Sequence, residues 1–201
     1  MSKVLTAMDK SGSFRVYLTI TTDMVEEARQ VHKTTPLATA GLGRVLTGAG
    51  LMALMLKNDT DKLTVQFKGD GPARQILATA YGDGRVKGYI SNPNVDLPLR
   101  DDHHLDVGGS LGVGELTVIK DLGLKEPYVG RVDLQTGEIA EDITNYFATS
   151  EQTPSVCALG VLVNKDLTVK KAGGYIIQLL PGCDDEIISK IEHNISNIES
   201  V

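Results

Sequence analysis

The residues with the clearest potential for covalent chemistry lie between Asp101 and Gly112. The pentapeptide GGSLG at 108–112 matches the Gly-x-Ser-x-Gly pattern of a nucleophile elbow around Ser110. Such an elbow needs a strand before the serine and a helix after it, so that the hydroxyl stands exposed beside an oxyanion pocket. The residues after Gly112 alternate as a strand does. The pattern therefore favours a glycine-rich loop, and a Ser110-dependent hydrolase is the alternative.

The acids and histidines just before this pentapeptide could be metal ligands. They are Asp101, Asp102, His103 and His104. Adjacent histidines point in different directions on a regular backbone, and neither a helical His-x-x-x-His spacing nor a thiolate partner is present. We therefore predict a solvated loop here, and no metal ligand.

The other acidic and glycine-rich segments predict no catalytic residue and no bound cofactor. Glu138, Glu141 and Asp142 form a carboxylate cluster, but they fall at a predicted helix start, where the helix dipole favours acids without any catalytic role. The chain contains neither a Gly-x-Gly-x-x-Gly nor a Walker phosphate loop. ATP and dinucleotides are therefore not predicted as cofactors.

The two cysteines indicate a reducing compartment. They lack Cys-x-x-Cys spacing and are too few for a disulfide scaffold, so we expect a cytoplasmic location. Cys157 falls in an apolar strand, where a cysteine is usually an inert hydrophobe. Cys183 precedes a predicted helix, whose dipole lowers a thiol pKa, and is the more reactive candidate, although an incidental surface thiol is the favoured interpretation.

Composition and charge exclude two classes of partner. Apolar residues make up 41% and charged residues 23% of the 201 residues, which is typical of a folded globular protein. A net charge of −6 and the absence of tryptophan oppose nucleic-acid binding, which needs basic and stacking residues. The segment Pro36–Leu56 carries Arg44 as its only charge, but its four glycines and that arginine argue against a membrane span and for a buried helix.

Hydrophobic periodicity predicts the elements of the first half. A hairpin is predicted from strands Val4–Met8 and Phe14–Ile20, and in the second strand Phe14, Val16, Leu18 and Ile20 alternate with Arg15, Tyr17 and Thr19, which is the period of a strand with one buried face. Asp23 followed by Glu26 predicts a capped helix start, and Thr35-Pro36 opens a second helix. An antiparallel meander is then predicted from strands Leu63–Phe67, Ile76–Tyr81 and Val86–Ile90.

The second half is predicted to contain further strands and two helices. A loop at Asn92–Asp106 is the best candidate for an internal boundary. The remaining predicted elements are strands Glu115–Lys120 and Tyr128–Leu134, a helix capped near Glu141 or Asp142, an apolar strand Val156–Val163 covered on both faces, a strand Leu167–Leu180 broken at Gly173-Gly174, and a last helix capped by Asp184 or Asp185. One stripe of this last helix carries Ile187, Ile191, Ile195 and Ile198.

Several long strings of the chain resemble one protein family. They are TAGLGRVLTGAGLMALMLK, LTVQFKGDGPARQILATA, GYISNPNVDLP, LTVIKDLGLKEPYVGRVDLQTGEIAEDITNYFATSEQTPS, ALGVLVN and AGGYIIQLLPG. Together they resemble the redox-regulated heat-shock chaperone family, often called the thirty-three-kilodalton chaperonin. The resemblance extends from the first strand to about Ile191.

The resemblance implies an α+β fold, with mixed or antiparallel β-sheets and helices packed against them. In the family a helical linker follows this core and leads to a small C-terminal domain, where four cysteines bind zinc. Accordingly, we assign residues 1–182 to the chaperone core and 183–201 to the start of the linker, with the zinc domain absent, either through truncation or in a natural short form. Neither cysteine of this chain matches the zinc pattern, so no metal ligand is transferred.

The resemblance also implies an ATP-independent holdase that binds unfolding or oxidatively damaged proteins. In the family, oxidation forms disulfides, releases zinc, unfolds the linker and uncovers apolar surface. We expect this chain to bind clients by apolar contact, without that redox switch, and to form a homodimer, with domain swapping as one route to it. The isoleucine stripe at 187, 191, 195 and 198 is the candidate client or linker contact. A passive assembly subunit that binds one folded partner is a third hypothesis, beside the hydrolase.

Overall fold

A long helix, α2 (Pro36–Ala53), is the centre of the fold. The computed structural model describes residues 3–198. Pro36 stands in the first turn of α2, where no amide donor is lost, and Thr35 caps the helix by accepting a hydrogen bond from the Ala38 amide at 3.3 Å. Fifteen of the eighteen residues are buried. A helix that is apolar all round must be covered on all sides, and α2 packs against strands of two separate sheets.

Two antiparallel sheets and four further helices complete the described residues. The other helices are α1 (Thr22–His32), α3 (Val107–Leu111), α4 (Ile139–Thr149) and α5 (Asp185–Ser196). The strands are β1 (Lys3–Met8), β2 (Phe14–Ile20), β3 (Lys62–Gly69), β4 (Gln75–Tyr81), β5 (Val86–Ile90), β6 (Gly114–Asp121), β7 (Tyr128–Asp133), β8 (Ser155–Val163) and β9 (Val169–Leu179). The four-stranded sheet has the order β1-β2-β9-β8, and the five-stranded sheet has the order β5-β4-β3-β6-β7. The predicted α+β class with antiparallel sheets is confirmed.

Glycines allow the neighbours of α2 to approach its backbone closely. A Cβ atom on Gly43 would lie 2.6 Å from Val25 Cγ1 of α1, and one on Gly48 would lie 2.7 Å from Ile143 Cδ1 of α4. Both distances are shorter than side-chain contacts permit, so α1 and α4 pack where they do because these positions lack a side chain. In residues 3–198 no helix has the length and hydropathy needed to cross a bilayer.

A single main core joins both sheets, which contradicts the predicted internal boundary. Phe67 and Ile76 of the five-stranded sheet, Leu159 and Ile176 of the four-stranded sheet, and Ile143 of α4 belong to one buried cluster. The connection at 91–106 is irregular, as predicted. It nevertheless runs across the surface of one core, because α2 fills the space between the sheets.

The starts of two helices differ from their prediction. Thr21, instead of Asp23, is the N-cap of α1, and Glu26 turns outward from the helix end to accept a hydrogen bond from the Val169 amide at 2.9 Å. Glu26 also binds Arg29, which together with Val169 holds the pKa of the carboxyl down at about 2. Glu138 is the N-cap of α4, so that helix begins before the predicted acids. In α1 a tertiary partner thus takes the glutamate that the local pattern assigns to a capping box.

Two predictions about the strands are wrong. β9 runs without a break through Gly173 and Gly174, because both pair with neighbouring strands. β8 is the edge strand of its sheet, and its side chains are not covered on both faces, since Leu162 is 53% exposed. A continuous apolar run is typical of a strand buried on both faces. Here it marks a strand whose outer face is apolar and open.

The β8–β9 turn contains a leucine in a conformation that suits glycine. Leu167 has φ 69° and donates its amide to the Asn164 carbonyl, which closes the turn. The left-handed region costs an L-residue about 1–2 kcal/mol. The side chain is half exposed, so few packing contacts offset that cost.

We predict that Leu167→Gly raises the free energy of unfolding by about 1 kcal/mol relative to Leu167→Ala, because only glycine removes the Cβ clash. Urea unfolding monitored by circular dichroism measures the difference. Equal stability of the two variants would contradict the assigned turn conformation.

Candidate functional site

The structure does not place Ser110 in a nucleophile elbow. Ser110 lies inside α3, is buried, and donates its hydroxyl proton to the Val107 carbonyl at 2.7 Å. The predicted glycine-rich loop is thus a short helix, which Asp106 caps by accepting from the Gly109 amide at 2.8 Å. Asp106 is therefore occupied by helix capping, and the serine hydroxyl is not presented to solvent.

The other predicted acid and histidine residues form no metal site. Asp101, Asp102, His103 and His104 are exposed, and His104 Nδ1 lies 3.2 Å from an Asp102 carboxylate oxygen. Across residues 3–198 the structure brings together no group of three His, Cys, Asp or Glu side chains that could hold a metal ion. The described residues therefore do not fit a zinc centre.

The carboxylates at the start of α4 are separated by their surroundings. Glu138 pairs with Arg44 of α2 at 2.7 Å and with Arg100 at 3.2 Å, so it links three parts of the fold. Asp142 is fully buried, accepts from the Gln135 amide at 2.7 Å, and has its pKa raised by burial. Glu141 is exposed. The three acids therefore do not converge on a common point.

Neither cysteine has the surroundings of a reactive thiol. Cys157 is buried on the inner side of β8, and burial raises the pKa of its thiol. The pKa of Cys183 is also raised, first by partial burial and then by the negative charges of Asp184, Asp9 and Asp185. The prediction that the α5 dipole would lower the Cys183 pKa is therefore wrong, because the acids that favour the helix start act on the same sulfur.

The outer face of the four-stranded sheet is the candidate functional surface. Tyr17 and Thr19 of β2 point into the core, as do Cys157 of β8 and Ile176 of β9. Successive side chains of a strand point to opposite faces, and directly paired residues share a face. The alternate residues of all four strands therefore point outward.

These outward residues are almost entirely apolar. Besides Lys3, Lys171, Gly160 and Gly173, the face consists of Leu5, Ala7, Phe14, Val16, Leu18, Ile20, Val156, Ala158, Leu162, Tyr175, Ile177 and Leu179. We call these twelve side chains the apolar platform. The strand period predicted for β2 is confirmed, but its aliphatic residues face outward while Tyr17 and Thr19 take the buried side.

The apolar platform contains an open groove at one end. Leu18, Ile20 and Tyr175 line it, and the directly paired Gly160 and Gly173 leave its floor without side chains. Its volume is about 440 Å³. Leu18 is 39% and Ile20 51% exposed. Large contiguous apolar patches of this kind mark interaction surfaces in soluble proteins.

The outer face of the five-stranded sheet provides an internal comparison. Its side chains hydrogen-bond to one another across the strands, with Thr64 to Thr79 at 3.0 Å and Gln66 to Gln75 at 2.8 Å. Gln75 continues the network to the Tyr89 hydroxyl at 2.6 Å. One sheet of the molecule thus has an ordinary polar exterior, which makes the apolar exterior of the other a specific feature.

Comparisons with known proteins identify the family. The family model described as Hsp33 protein matches residues 2–201. The chain belongs to the Hsp33 protein family. A 33 kDa chaperonin of Clostridium acetobutylicum is 50% identical over 99% of this chain and 67% of its own length, and one of Acetivibrio thermocellus is 52% identical over 98% and 67%. The crystal structure of a 33 kDa chaperonin from Thermotoga maritima matches with a TM-score of 0.94 and 41% identity, over 98% of this chain and 68% of that one.

In this Hsp33-family chain the isoleucine stripe lies on α5, whose N-cap is Asp184, as predicted. No residue of α5 is buried; Ile187, Ile191 and Ile195 are partly covered, and Ile198 just beyond the helix is 49% exposed. These isoleucines do not belong to the buried core clusters. The structure therefore leaves the stripe available for contact with another surface.

The Hsp33-family platform was missed by sequence reasoning because its signal has two interpretations. In β8 both faces are apolar, which is typical of a strand buried on both sides. In β2 the outward residues are more hydrophobic than the inward Tyr17 and Thr19. The deciding fact is that helices cover only one face of this sheet. The sequence does not show this, because it depends on the order of the strands.

We predict that Asp184→Asn combined with Asp185→Asn speeds alkylation of Cys183 at pH 7 a few-fold. Removing the negative charges lowers the thiol pKa, and the thiolate is the reacting species. Iodoacetamide labelling followed by mass spectrometry measures the rate. Glu192→Gln, farther along α5, is the matched control and should leave it unchanged. An unchanged rate in the double variant would show that the aspartates do not act on the sulfur.

Proposed function

We propose that this chain is an ATP-independent chaperone that holds unfolding proteins on the apolar platform. The observation that carries the proposal is an open sheet face with twelve apolar side chains, in a chain of the Hsp33 family whose relatives are named 33 kDa chaperonin. The burial of the Ser110 hydroxyl, which is bound to the Val107 carbonyl, supports binding in preference to catalysis.

The physical basis of holding is removal of apolar area from water. Each square ångström contributes roughly 25 cal/mol, so covering one half-exposed leucine or isoleucine side chain contributes about 1 kcal/mol. A few such contacts give useful affinity for any apolar segment. The platform has few hydrogen-bonding side chains, so it imposes little sequence preference, as a chaperone for unfolding or oxidatively damaged proteins requires.

We propose that residues 1–182 form the chaperone core and that α5 begins a linker over it. The stripe at Ile187, Ile191 and Ile195 has the chemistry to cover part of the platform in a resting state. α5 follows β9 directly, after a short turn at Pro181 and Gly182, which supports this assignment. Clients would then compete with the linker for the same apolar area.

We also propose that two copies associate, with exchange of α5 as the route, since an uncovered apolar helix face and an uncovered platform in one chain favour such contacts. We place the chaperone in the cytoplasm, where thiols stay reduced. We assign neither zinc binding nor redox control to Cys157 or Cys183. Cys157 and Cys183, with their raised pKa values, are not expected to respond to peroxide.

We predict that Leu18→Gln combined with Ile20→Gln raises the protein concentration needed to suppress aggregation at least about tenfold, because the two polar side chains remove apolar contact area from the groove. Light scattering of a heat-denatured enzyme measures this. Both side chains are substantially exposed, so the fold should be retained.

The matched control for this experiment is Val31→Gln combined with Val113→Gln. These valines are more exposed than the groove residues but lie outside the platform. The control should protect as well as the unmodified chain. If both double variants lose the same amount of protection against aggregation, exposed apolar residues in general are responsible and not the platform. If the unmodified chain gives no protection at stoichiometric amounts, the holdase proposal is refuted.

We predict that Ile191→Gln combined with Ile195→Gln increases binding of an apolar dye and accelerates client capture, because a weakened α5 stripe covers less of the platform. Dye fluorescence and the light-scattering assay provide the two readouts. Ser189→Gln, on a different side of α5, is the control. A decrease in capture would mean that the stripe contacts clients itself.

A further inference from the structure

The strand β1 is an edge that the rest of the fold leaves uncovered. It is the first strand of the four-stranded sheet and pairs with β2 alone. All six of its residues are exposed, on both faces of the sheet, and they include Val4, Leu5 and Met8 at more than half of their full exposure. An exposed apolar edge strand is a template for pairing with another chain.

The pairing pattern identifies which backbone groups of β1 are free. The Asp9 amide donates to the Phe14 carbonyl at 3.0 Å, just beyond the β1–β2 register. In an antiparallel ladder every second residue exchanges backbone hydrogen bonds with its partner. The backbone amides and carbonyls of Lys3, Leu5 and Ala7 therefore point toward β2. The amides and carbonyls of Val4, Thr6 and Met8 therefore point away from the sheet.

The outer edges of β8 and β5, by contrast, each bind a side chain of a neighbouring helix. The β8 edge has the Cys157 amide bound to Thr144 Oγ1 of α4 at 3.0 Å, and its pairing ends in an irregularity near Leu162. The β5 edge has the Gly88 carbonyl 3.0 Å from His32 Nε2 of α1. Among residues 3–198 no side chain of another element hydrogen-bonds to the outward amides and carbonyls of Val4, Thr6 and Met8. The strand also lacks the proline, bulge and central charge that usually block an edge.

We propose that an extended segment of the unfolded client adds to β1 as a further strand, with its apolar side chains continuing the platform. This inference rests on the proposed chaperone function and specifies how the client is held. Backbone hydrogen bonds to Val4, Thr6 and Met8 give sequence-independent affinity, and alternate side chains of the added strand lie beside Leu5 and Ala7 of the platform. The client is thus recognised as an unpaired, alternating apolar strand.

The continuity of the surface favours a client strand over other occupants. The outer side chains of β1 lie in the same rows as Val16 and Leu18 of β2, so an added strand extends the existing face. On its other side, an open groove of about 300 Å³ beside Thr6, Met8 and Arg15 can receive the remaining side chains. Both faces of the edge therefore accept the alternating side chains of an extended chain.

The test uses Thr6→Pro in the full chain. Proline removes the outward amide of Thr6, and no β1–β2 hydrogen bond is lost, so an edge strand tolerates it. The Thr6 side chain lies on the opposite face of the sheet from the platform, so the substitution changes none of the platform side chains. Thr6→Ala retains the amide and is the matched control.

The probe is a fluorescent ten-residue peptide of alternating valine and serine with a glutamate at each end. Fluorescence anisotropy measures its dissociation constant.

We expect Thr6→Pro to raise the peptide dissociation constant about tenfold or more, and Thr6→Ala to leave it unchanged. A second measurement avoids dependence on one variant: the same peptide with its central amides N-methylated should bind the unmodified protein at least about tenfold more weakly, because it cannot pair with the edge. Equal binding of both peptides would overturn strand addition.

The outcomes separate this inference from the proposed function. If Thr6→Pro binds normally while Leu18→Gln with Ile20→Gln does not, the platform holds clients and the edge does not. If Thr6→Pro changes the oligomeric mass by light scattering but leaves peptide binding intact, the edge pairs with a second copy and the inference is wrong. If the unmodified protein neither binds the peptide nor suppresses aggregation, the chaperone function itself fails.

Discussion

The burial of α2 between two sheets is the constraint on which the rest of the structure depends. A helix with fifteen of eighteen residues buried needs apolar surface on every side, and the inner faces of both sheets provide it. Each sheet has two faces, and only the inner one is used in this way. The outer faces are then free to differ, and they do: one carries a hydrogen-bonded polar network, the other the apolar platform.

Most of the polar side chains that the central helix buries have partners on neighbouring segments, which lets the two sheets close over it. Thr47 of α2 binds Thr21 at 2.7 Å, and Thr39 binds Thr34 at 2.7 Å. Arg44 keeps its charge paired with Glu138. A helix carrying unpaired polar groups would cost several kcal/mol to enclose. Among the described residues, Arg44 Nε and Asp142 Oδ2 are buried side-chain atoms without a hydrogen-bond partner, so the pairing of the interior is extensive but not complete.

The candidate site could be predicted only in part. Most elements follow from periodicity, Pro36 and the glycine turns, and the family follows from long matching strings. The buried side of β2 and the exposure of β8 could not be predicted, since alternation gives a period without a direction. When both sides of a strand are apolar, the choice depends on which side the helices occupy. The raised pKa of Cys183 could not be predicted either, because its largest cause is partial burial, which depends on the tertiary structure.

The sequence by itself determined most of the secondary structure and the family, because these depend on local residue patterns and on strings that persist along the chain. The tertiary structure alone decided that Leu18, Ile20 and Leu162 face solvent, that β1 ends its sheet uncovered, and that Ser110 and Asp142 are enclosed. The physical reason is that exposure is a property of packing between distant segments. Only the positions of α2 and its neighbouring helices select which apolar face is buried.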